Sequence, residues 1–319
     1  MNALKEKPIK IIYAGLMVDN PRHGFQVALE KVATGGYKEL ATSTPDFQNE
    51  LFRMVRDFKP DLLFIQTQGP TFSAQMAHDL SQLTFCMTFN GDIRHDLPDY
   101  YRAADCNFQL NTFSNMRDVH RAREFGMTAD WLELGFEPER FNKNQSAIPT
   151  TPIVAHFNHY AGRFPLSDYR LQIVDRLRSE FPGQVTVAGN FPGATHNFNS
   201  NQIDECRHYR GAKIAISCSN FRVERYSSDR LVRILGSGCM ALVDYFPAIE
   251  TMYDPGTHLE TFKDLDELVT KCKYFLQNEE HRKRIADAGH EWVMNNYTYD
   301  CMAKEILKLY HQYKSKINV

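Results

Sequence analysis

The chain has 319 residues, 43% of them hydrophobic and 12% aromatic, and its 37 Lys and Arg against 39 Asp and Glu leave a formal net charge of −2. That length accommodates two domains with their own cores, and the composition excludes a largely disordered chain. The near balance of charge excludes bulk electrostatic attraction to nucleic acid or membranes as a default function. No stretch approaches the roughly 18 apolar residues of a membrane span, and the opening Met-Asn-Ala-Leu-Lys-Glu-Lys-Pro lacks the apolar core of a signal peptide, so a cytoplasmic protein is expected.

Residues 10–15 form an apolar run ending in glycine, and the wider apolar spacing of 23–32 predicts a helix after it. Thr44-Pro45 reads as a cap with proline in the first turn of a helix whose apolar face is Phe47, Leu51, Met54, Val55 and Phe58, stopped at Lys59-Pro60. A buried strand follows at 61–66, a helix at 73–83, strands at 84–89 and 106–110, a helix at 115–125 closed by Gly126, and a strand at 131–134. The polar, aperiodic run 141–152 carries two prolines and reads as a linker. The second half repeats the pattern: strand 153–157, helix 167–181, strand 184–189, helix 202–209, strand 213–217, a Ser228-capped helix, strand 240–243 and three closing helices.

Strands alternating with helices predict two doubly wound α/β domains of Rossmann type, here bounded at 1–146 and 147–298, with 299–319 as a terminal helix. Ligands of such folds bind at the carboxyl ends of strands, so chemistry is sought in the loops that follow them. The segment 226–244 leads these candidates. Ser227 and Ser228 precede a helix carrying Arg230 and Arg233, and a capped helix N-terminus beside arginine suits an anion. Between residues 221 and 233 the four arginines 222, 225, 230 and 233 face only Glu224 and Asp229, an excess that fits a diphosphate. Asn158 and Arg163, after the strand at 153–157, are placed at the same end.

The Gly-x-Gly-x-x-Gly fingerprint, the Gly-Lys-Ser/Thr phosphate loop and the Gly-x-Ser-x-Gly elbow are all missing, which argues against dehydrogenase, ATPase and hydrolase chemistry. In the first half, Asp92 and His95 follow an apolar strand and His23 lies in the loop 19–24 after the first strand. Each is a candidate to take a proton from an acceptor hydroxyl. Seven cysteines with no Cys-x-x-Cys pair predict reduced thiols, and His156 and His159 point to different sides of a strand, so no metal site is expected.

With these residues placed, the chain resembles the GT-B glycosyltransferases with a group-1-like C-terminal domain, including the spore-maturation type. The resemblance is carried by Ser228-Asp-Arg-Leu, Leu235-Gly-Ser-Gly-Cys, Asp254-Pro-Gly-Thr-His, Phe262-Lys-Asp-Leu-Asp-Glu-Leu, Arg284-Ile-Ala-Asp-Ala-Gly and Tyr297-Thr-Tyr, with Trp131-Leu-Glu-Leu-Gly-Phe-Glu-Pro-Glu-Arg-Phe ending the first domain. It implies two domains facing a cleft, a last helix crossing back to the first domain, and metal-independent transfer from a nucleoside-diphosphate sugar, a co-substrate rather than a cofactor, to an acceptor hydroxyl. One departure stands out: Arg233 occupies the position where related families carry a glutamate for the ribose hydroxyls. Arginine has no acceptor, so the ribose would be held elsewhere and Arg233 would be a second phosphate contact or a surface residue. A non-catalytic sugar-nucleotide or glycan-binding protein and a sugar-nucleotide epimerase are the alternative readings. The acceptor stays open among glycan, protein, metabolite and modified DNA base. Arg94, Arg102, Arg117, Arg121 and Arg123 would serve the last, but the acids among them predict an evenly charged surface.

Overall fold

The computed structural model describes residues 7–17, 22–66, 69, 71–198 and 202–317. The first elements are β1 (Lys10–Gly15), α1 (Phe25–Val32), β2 (Gly36–Ala41), α2 (Phe47–Phe58), β3 (Leu62–Gln66), α3 (Ala74–Leu83) and β4 (Phe85–Asn90). The short α4 (Asp99–Ala103), β5 (Leu110–Phe113), α5 (Met116–Glu124) and β6 (Ala129–Trp131) follow. Then come β7 (Ile153–His156), α6 (Ser167–Glu180), β8 (Val185–Ala188), α7 (Gln202–Gly211), β9 (Ile214–Ser217), α8 (Asp229–Gly236), β10 (Met240–Asp244) and β11 (Glu260–Phe262). The helices α9 (Leu265–Gln277), α10 (Glu279–Asn296) and α11 (Tyr299–Ile317) close the chain.

The chain divides into two compact units, one of Met1–Leu134 with Tyr299–Val319, the other of Gly135–Thr298. Residues 135–146, grouped with the first half on sequence grounds, therefore sit with the second unit. Each unit is built on one parallel sheet, in the order β2-β1-β3-β4-β5-β6 for the first and β11-β10-β9-β7-β8 for the second. Parallel strands covered on both faces read as near-continuous apolar runs. In β1, Ile12 and Ala14 join a core with Leu51, Val55 and Leu80, while Tyr13 on the other face meets Phe64 of β3. In the second unit Ile153, Ala155, Ile214, Ile216, Met240 and Leu242 pack with α6 and α9 residues such as Ile173, Leu177 and Cys272.

Helix α11 belongs to the first unit and is tied to it at several points. Tyr299 packs edge-on against Phe25, Tyr310 against Phe85, Asp300 pairs with Lys31 at 2.8 Å, and the Tyr313 hydroxyl donates to Asp130 Oδ2 at 2.8 Å.

Several local expectations need correction. Helix α2 starts at Phe47 rather than at Pro45, and its N-cap is Asp46, in the left-handed region at φ 54°, with no side-chain cap bond. Strand β2 was not expected because it is an edge strand in which only Leu40 is buried, so it carries little apolar signal. The strand expected at 106–110 begins at Leu110, since Asp105–Asn107 forms a 3₁₀ turn after α4. The last strand of the half is Ala129–Trp131 rather than 131–134, and the three-residue β11 was also missed.

Candidate functional site

In the second unit β8 and β9 lie on opposite sides of β7, so the connections diverge at the carboxyl ends of β7 and β9 and leave a crevice there. A cavity of about 320 Å³ occupies this end of the unit. Its walls are His156 and Asn158 at the end of β7, Gly189 after β8, and Phe198, Gln202 and Glu205 at the start of α7. Asp229, Arg230 and Arg233 of α8 complete it. The sequence of α8 explains this: Leu231, Val232, Ile234 and Leu235 are buried, which leaves 229, 230 and 233 on the polar face. Gly189 is required where it stands, because at φ 102° a Cβ would fall 2.3 Å from the Phe157 carbonyl oxygen.

The arginine excess is smaller in space than in sequence. Arg222 is paired with Asp244, its Nε 3.2 Å from Oδ2, and Arg233 lies 2.8 Å from Asp229 and 3.5 Å from Glu205. Asp244 and Glu205 come from outside the 221–233 window and balance its charge. Arg230 differs: its Nη1 donates to the Cys218 carbonyl at 3.3 Å and to Ser228 Oγ at 3.1 Å, both neutral oxygens. Beside it lies a cation that sequence reasoning missed. Arg170, on α6 and only 1% exposed, donates from Nε and Nη2 to the Cys218 carbonyl at 3.0 and 2.6 Å and from Nη1 to the Asn158 carbonyl at 3.0 Å. Burial first, and then the charge of Arg230, push its pKa down to about 10, so it is still protonated at neutral pH. Both guanidinium groups lie over the Phe157 ring at 5.4 Å. Two cations thus converge on one carbonyl at the strand ends, and the hydrogen bonds of both run to neutral oxygens.

A chain of polar groups lies behind the cavity. Thr150 Oγ1 is 2.7 Å from His208 Nε2, and His208 Nδ1 is 2.8 Å from His156 Nε2. Burial first, and then the charges of His156 and His196, push His208 down to about 3, and burial likewise lowers His156. For Glu205, burial acts to raise the pKa, but His156, Arg233 and the Tyr209 hydroxyl outweigh it and hold the carboxyl below its ordinary value. With both rings neutral and Glu205 ionised, the consistent assignment is Thr150 O–H to His208, His208 Nδ1–H to His156, and His156 Nδ1–H toward Glu205 Oε1. That last separation is 3.7 Å, too long for a hydrogen bond.

The other sequence candidates fall in varied places. Ser228 is the residue preceding α8, but its hydroxyl makes no cap bond and accepts from Arg230 instead. Ser227 is buried and its Oγ has no hydrogen-bond partner among the described residues. Asn158 lines the cavity, its Oδ1 accepting from the Asn190 amide at 2.8 Å, whereas Arg163 is exposed, rests over Phe164 and is not part of the cavity wall. In the first unit, His23 lies before α1 and Asp92 and His95 lie in the loop after β4, all at the carboxyl end of the same sheet. Residues 18–21, and with them Asp19 of the first loop, lie outside the described residues. Asp92 and His95 are exposed, and the loop is held by its backbone: Ser114 Oγ donates to the Gly91 carbonyl at 2.8 Å and Arg121 to the His95 carbonyl at 2.6 Å. Arg117 is likewise bound to Asp118, Arg123 to the Ala129 carbonyl, and Arg102 stacks on Phe125, so these side chains serve contacts within the unit.

All seven cysteines are free, and among the described residues no group of three or more His, Cys, Asp or Glu is arranged to hold a metal ion. Among those residues no helix is long and apolar enough to cross a membrane.

Residues 170–308 match the family model described as glycosyl transferase-like. The glycosyltransferase of Rickettsia africae ESF-5 has the same fold at 12% identity, with TM-score 0.68 over 96% of this chain and 98% of that one. Sucrose-phosphate synthase of Thermosynechococcus elongatus follows at 11% identity, TM-score 0.65, over 96% and 100% of the two chains. Anabaena HepE, solved with UDP and glucose, is 10% identical with TM-score 0.64 over 95% and 100%. No curated protein sequence matches the chain. The solved structures thus share the two-sheet GT-B fold of this chain, and the glycosyl transferase-like match covers most of the second unit and the start of α11.

Proposed function

We propose that the chain transfers a sugar from a nucleoside-diphosphate sugar to a hydroxyl acceptor, with the donor in the second unit. The observation that carries this reading is Arg230, a cavity-lining guanidinium whose hydrogen bonds go only to neutral oxygens, at the divergent strand ends where this fold class binds ligands. A diphosphate supplies the missing anion, and the buried charge of Arg170 adds to the attraction. In this reading the two arginines meet the diphosphate charge and no metal ion is needed. HepE, solved with UDP and glucose, makes uridine the first base to test. Asp92 takes the proton of the acceptor hydroxyl, with His23 and His95 as the other candidates on that sheet edge. The seven free thiols, five of them buried, support a reducing compartment such as the cytoplasm.

The test is calorimetric titration with nucleoside diphosphates and their sugars, followed by transfer assays over an acceptor panel in EDTA. Arg230→Ala should weaken donor binding by about 1.5–3 kcal/mol, the worth of a hydrogen bond to a charged group. Asp92→Ala should slow transfer roughly 10²- to 10⁴-fold, the usual contribution of a general base, while donor affinity holds. Unchanged affinity in Arg230→Ala for every nucleotide sugar that binds would defeat the assignment.

A further inference from the structure

Arg233 stands where an acid was expected, and its surroundings show what it does instead. One guanidinium is shared between two carboxylates from different helices, Asp229 of α8 at 2.8 Å and Glu205 of α7 at 3.5 Å, and all three side chains line the cavity. An arginine can saturate a single carboxylate through a two-point fork. Divided in this way, it leaves acceptor capacity on both. Glu205 Oε1 accepts from Tyr209 at 3.1 Å and Oε2 lies 3.5 Å from Arg233 Nη1, while neither Glu205 Oε2 nor Asp229 Oδ1 accepts a recorded hydrogen bond among the described residues. An ionised carboxylate is acceptor-only, so whatever fills the cavity must bring donors to it.

His156 points to a ligand independently. It is 7% exposed, lines the same cavity, and its Nδ1 has no hydrogen-bond partner. The donors are not cationic: Arg230 and Arg233 line the same cavity and Arg170 lies behind it, three positive charges against the two carboxylates, and a fourth positive group there would be repelled. Neutral O–H and N–H donors remain, and of these a pair of adjacent hydroxyls offers one donor to each of the two carboxylates. A small molecule that places an anionic group by Arg230 and hydroxyl donors by Glu205 and Asp229 carries a diol next to a phosphate.

We propose that Glu205 and Asp229 receive the two ribose hydroxyls of a ribonucleoside diphosphate, and that Arg233 is a positioning residue that sets the spacing of the two carboxylates and does not contact phosphate. The carboxylate absent from position 233 is thereby supplied from a second helix and from one turn earlier. This rests on the donor-site reading above and adds a selectivity to it: the site distinguishes ribose from 2′-deoxyribose.

The experiment is calorimetric titration of the whole protein with UDP and 2′-deoxy-UDP, and with the GDP and ADP pairs in parallel. For the base that binds best, the ribonucleotide should bind at least about tenfold tighter than its 2′-deoxy form, the loss of one hydrogen bond to a charged group. Glu205→Gln and the more exposed Asp229→Asn should each shrink that ratio to within about twofold to fourfold. Arg233→Met should shrink it as well, and Arg233→Lys should restore part of it, which a purely structural role would not do. Arg230→Ala should weaken both forms equally and leave the ratio intact. Melting curves identify any variant that has lost its fold, and Asp229→Asn keeps the test decisive if Glu205→Gln unfolds. Equal binding of ribo and deoxy forms by the wild type, or a ratio that survives both carboxylate variants, overturns the diol assignment and leaves the donor site standing. Failure of every nucleotide to bind the folded wild type overturns both.

Discussion

The carboxyl ends of the two parallel sheets are built on different principles. In the second unit the strand ends carry a preassembled polar net: Arg170 and Arg230 on one carbonyl, Arg233 between two acids, and a Thr150-His208-His156 relay leading to Glu205. In the first unit the corresponding loop is held through its backbone carbonyls by the side chains of Ser114 and Arg121, and its own side chains Asp92 and His95 are exposed. A buried net is costly to disturb and is suited to a ligand part that never changes. A loop fixed through its backbone leaves its side chains adaptable, which suits a ligand that varies between relatives of one fold.

The largest test of this contrast is Arg170→Met against Arg102→Met. Removing Arg170 takes three hydrogen bonds from the Cys218 and Asn158 carbonyls, so the second unit should lose about 3 kcal/mol, whereas Arg102, exposed and stacked on Phe125, should cost under about 1 kcal/mol. Trp131 reports on the first unit and Trp292 on the second, so urea unfolding of single-tryptophan forms reads each separately. Equal losses would erase the distinction.

A smaller effect is expected from pH, and its sign differs between the units. Burial raises Asp105 of the first unit to about 7, so its contribution is fully present below the unfolded value near 4 and is lost as pH rises through 7. His208 of the second unit is depressed to about 3, so its contribution is present above about 6.5 and is lost as pH falls toward 3. Between pH 7.5 and 5 the first unit should gain and the second lose stability, each by roughly 2 kcal/mol. Amide exchange over β5 and β7 at the two pH values measures this, and parallel movement would count against it.

The smallest effect concerns helix caps. Asn115 accepts from the Asp118 amide at 2.9 Å and is fully buried, so Asn115→Ala should cost about 1–2 kcal/mol. Ser228 makes no cap bond, and Ser228→Ala should cost only a few tenths of a kcal/mol in stability while loosening Arg230. Thermal melts of the two variants compare them directly.

Alternation of buried strands with amphipathic helices made both sheets legible in the sequence, because fully covered strands such as Ile153-Val-Ala-His announce themselves by composition. The edge strands β2 and β11 did not, since an edge needs few buried residues. The segment 226–244 was correctly read as strand-end helix and strand, but the charge count within it misled. Charges cancel across space, and the partners Glu205 and Asp244 lie outside the window. Arg170 was invisible for a related reason: an arginine within a helix of mixed charge reads as solvated, and only the fold reveals that its three donors point inward at carbonyls.

The return of α11 to the first unit carries a consequence for the order of events during synthesis. The second unit, Gly135–Thr298, is contiguous, while the first is completed only when Tyr299–Val319 has been made. On the ribosome the second unit therefore has all its residues, and can fold, before the earlier-made unit receives its closing helix. Until Tyr299 reaches Phe25 and Tyr310 reaches Phe85, that older half waits with an uncovered aromatic face. Chaperone dependence and the damage from late truncations should both fall on the half that was translated first.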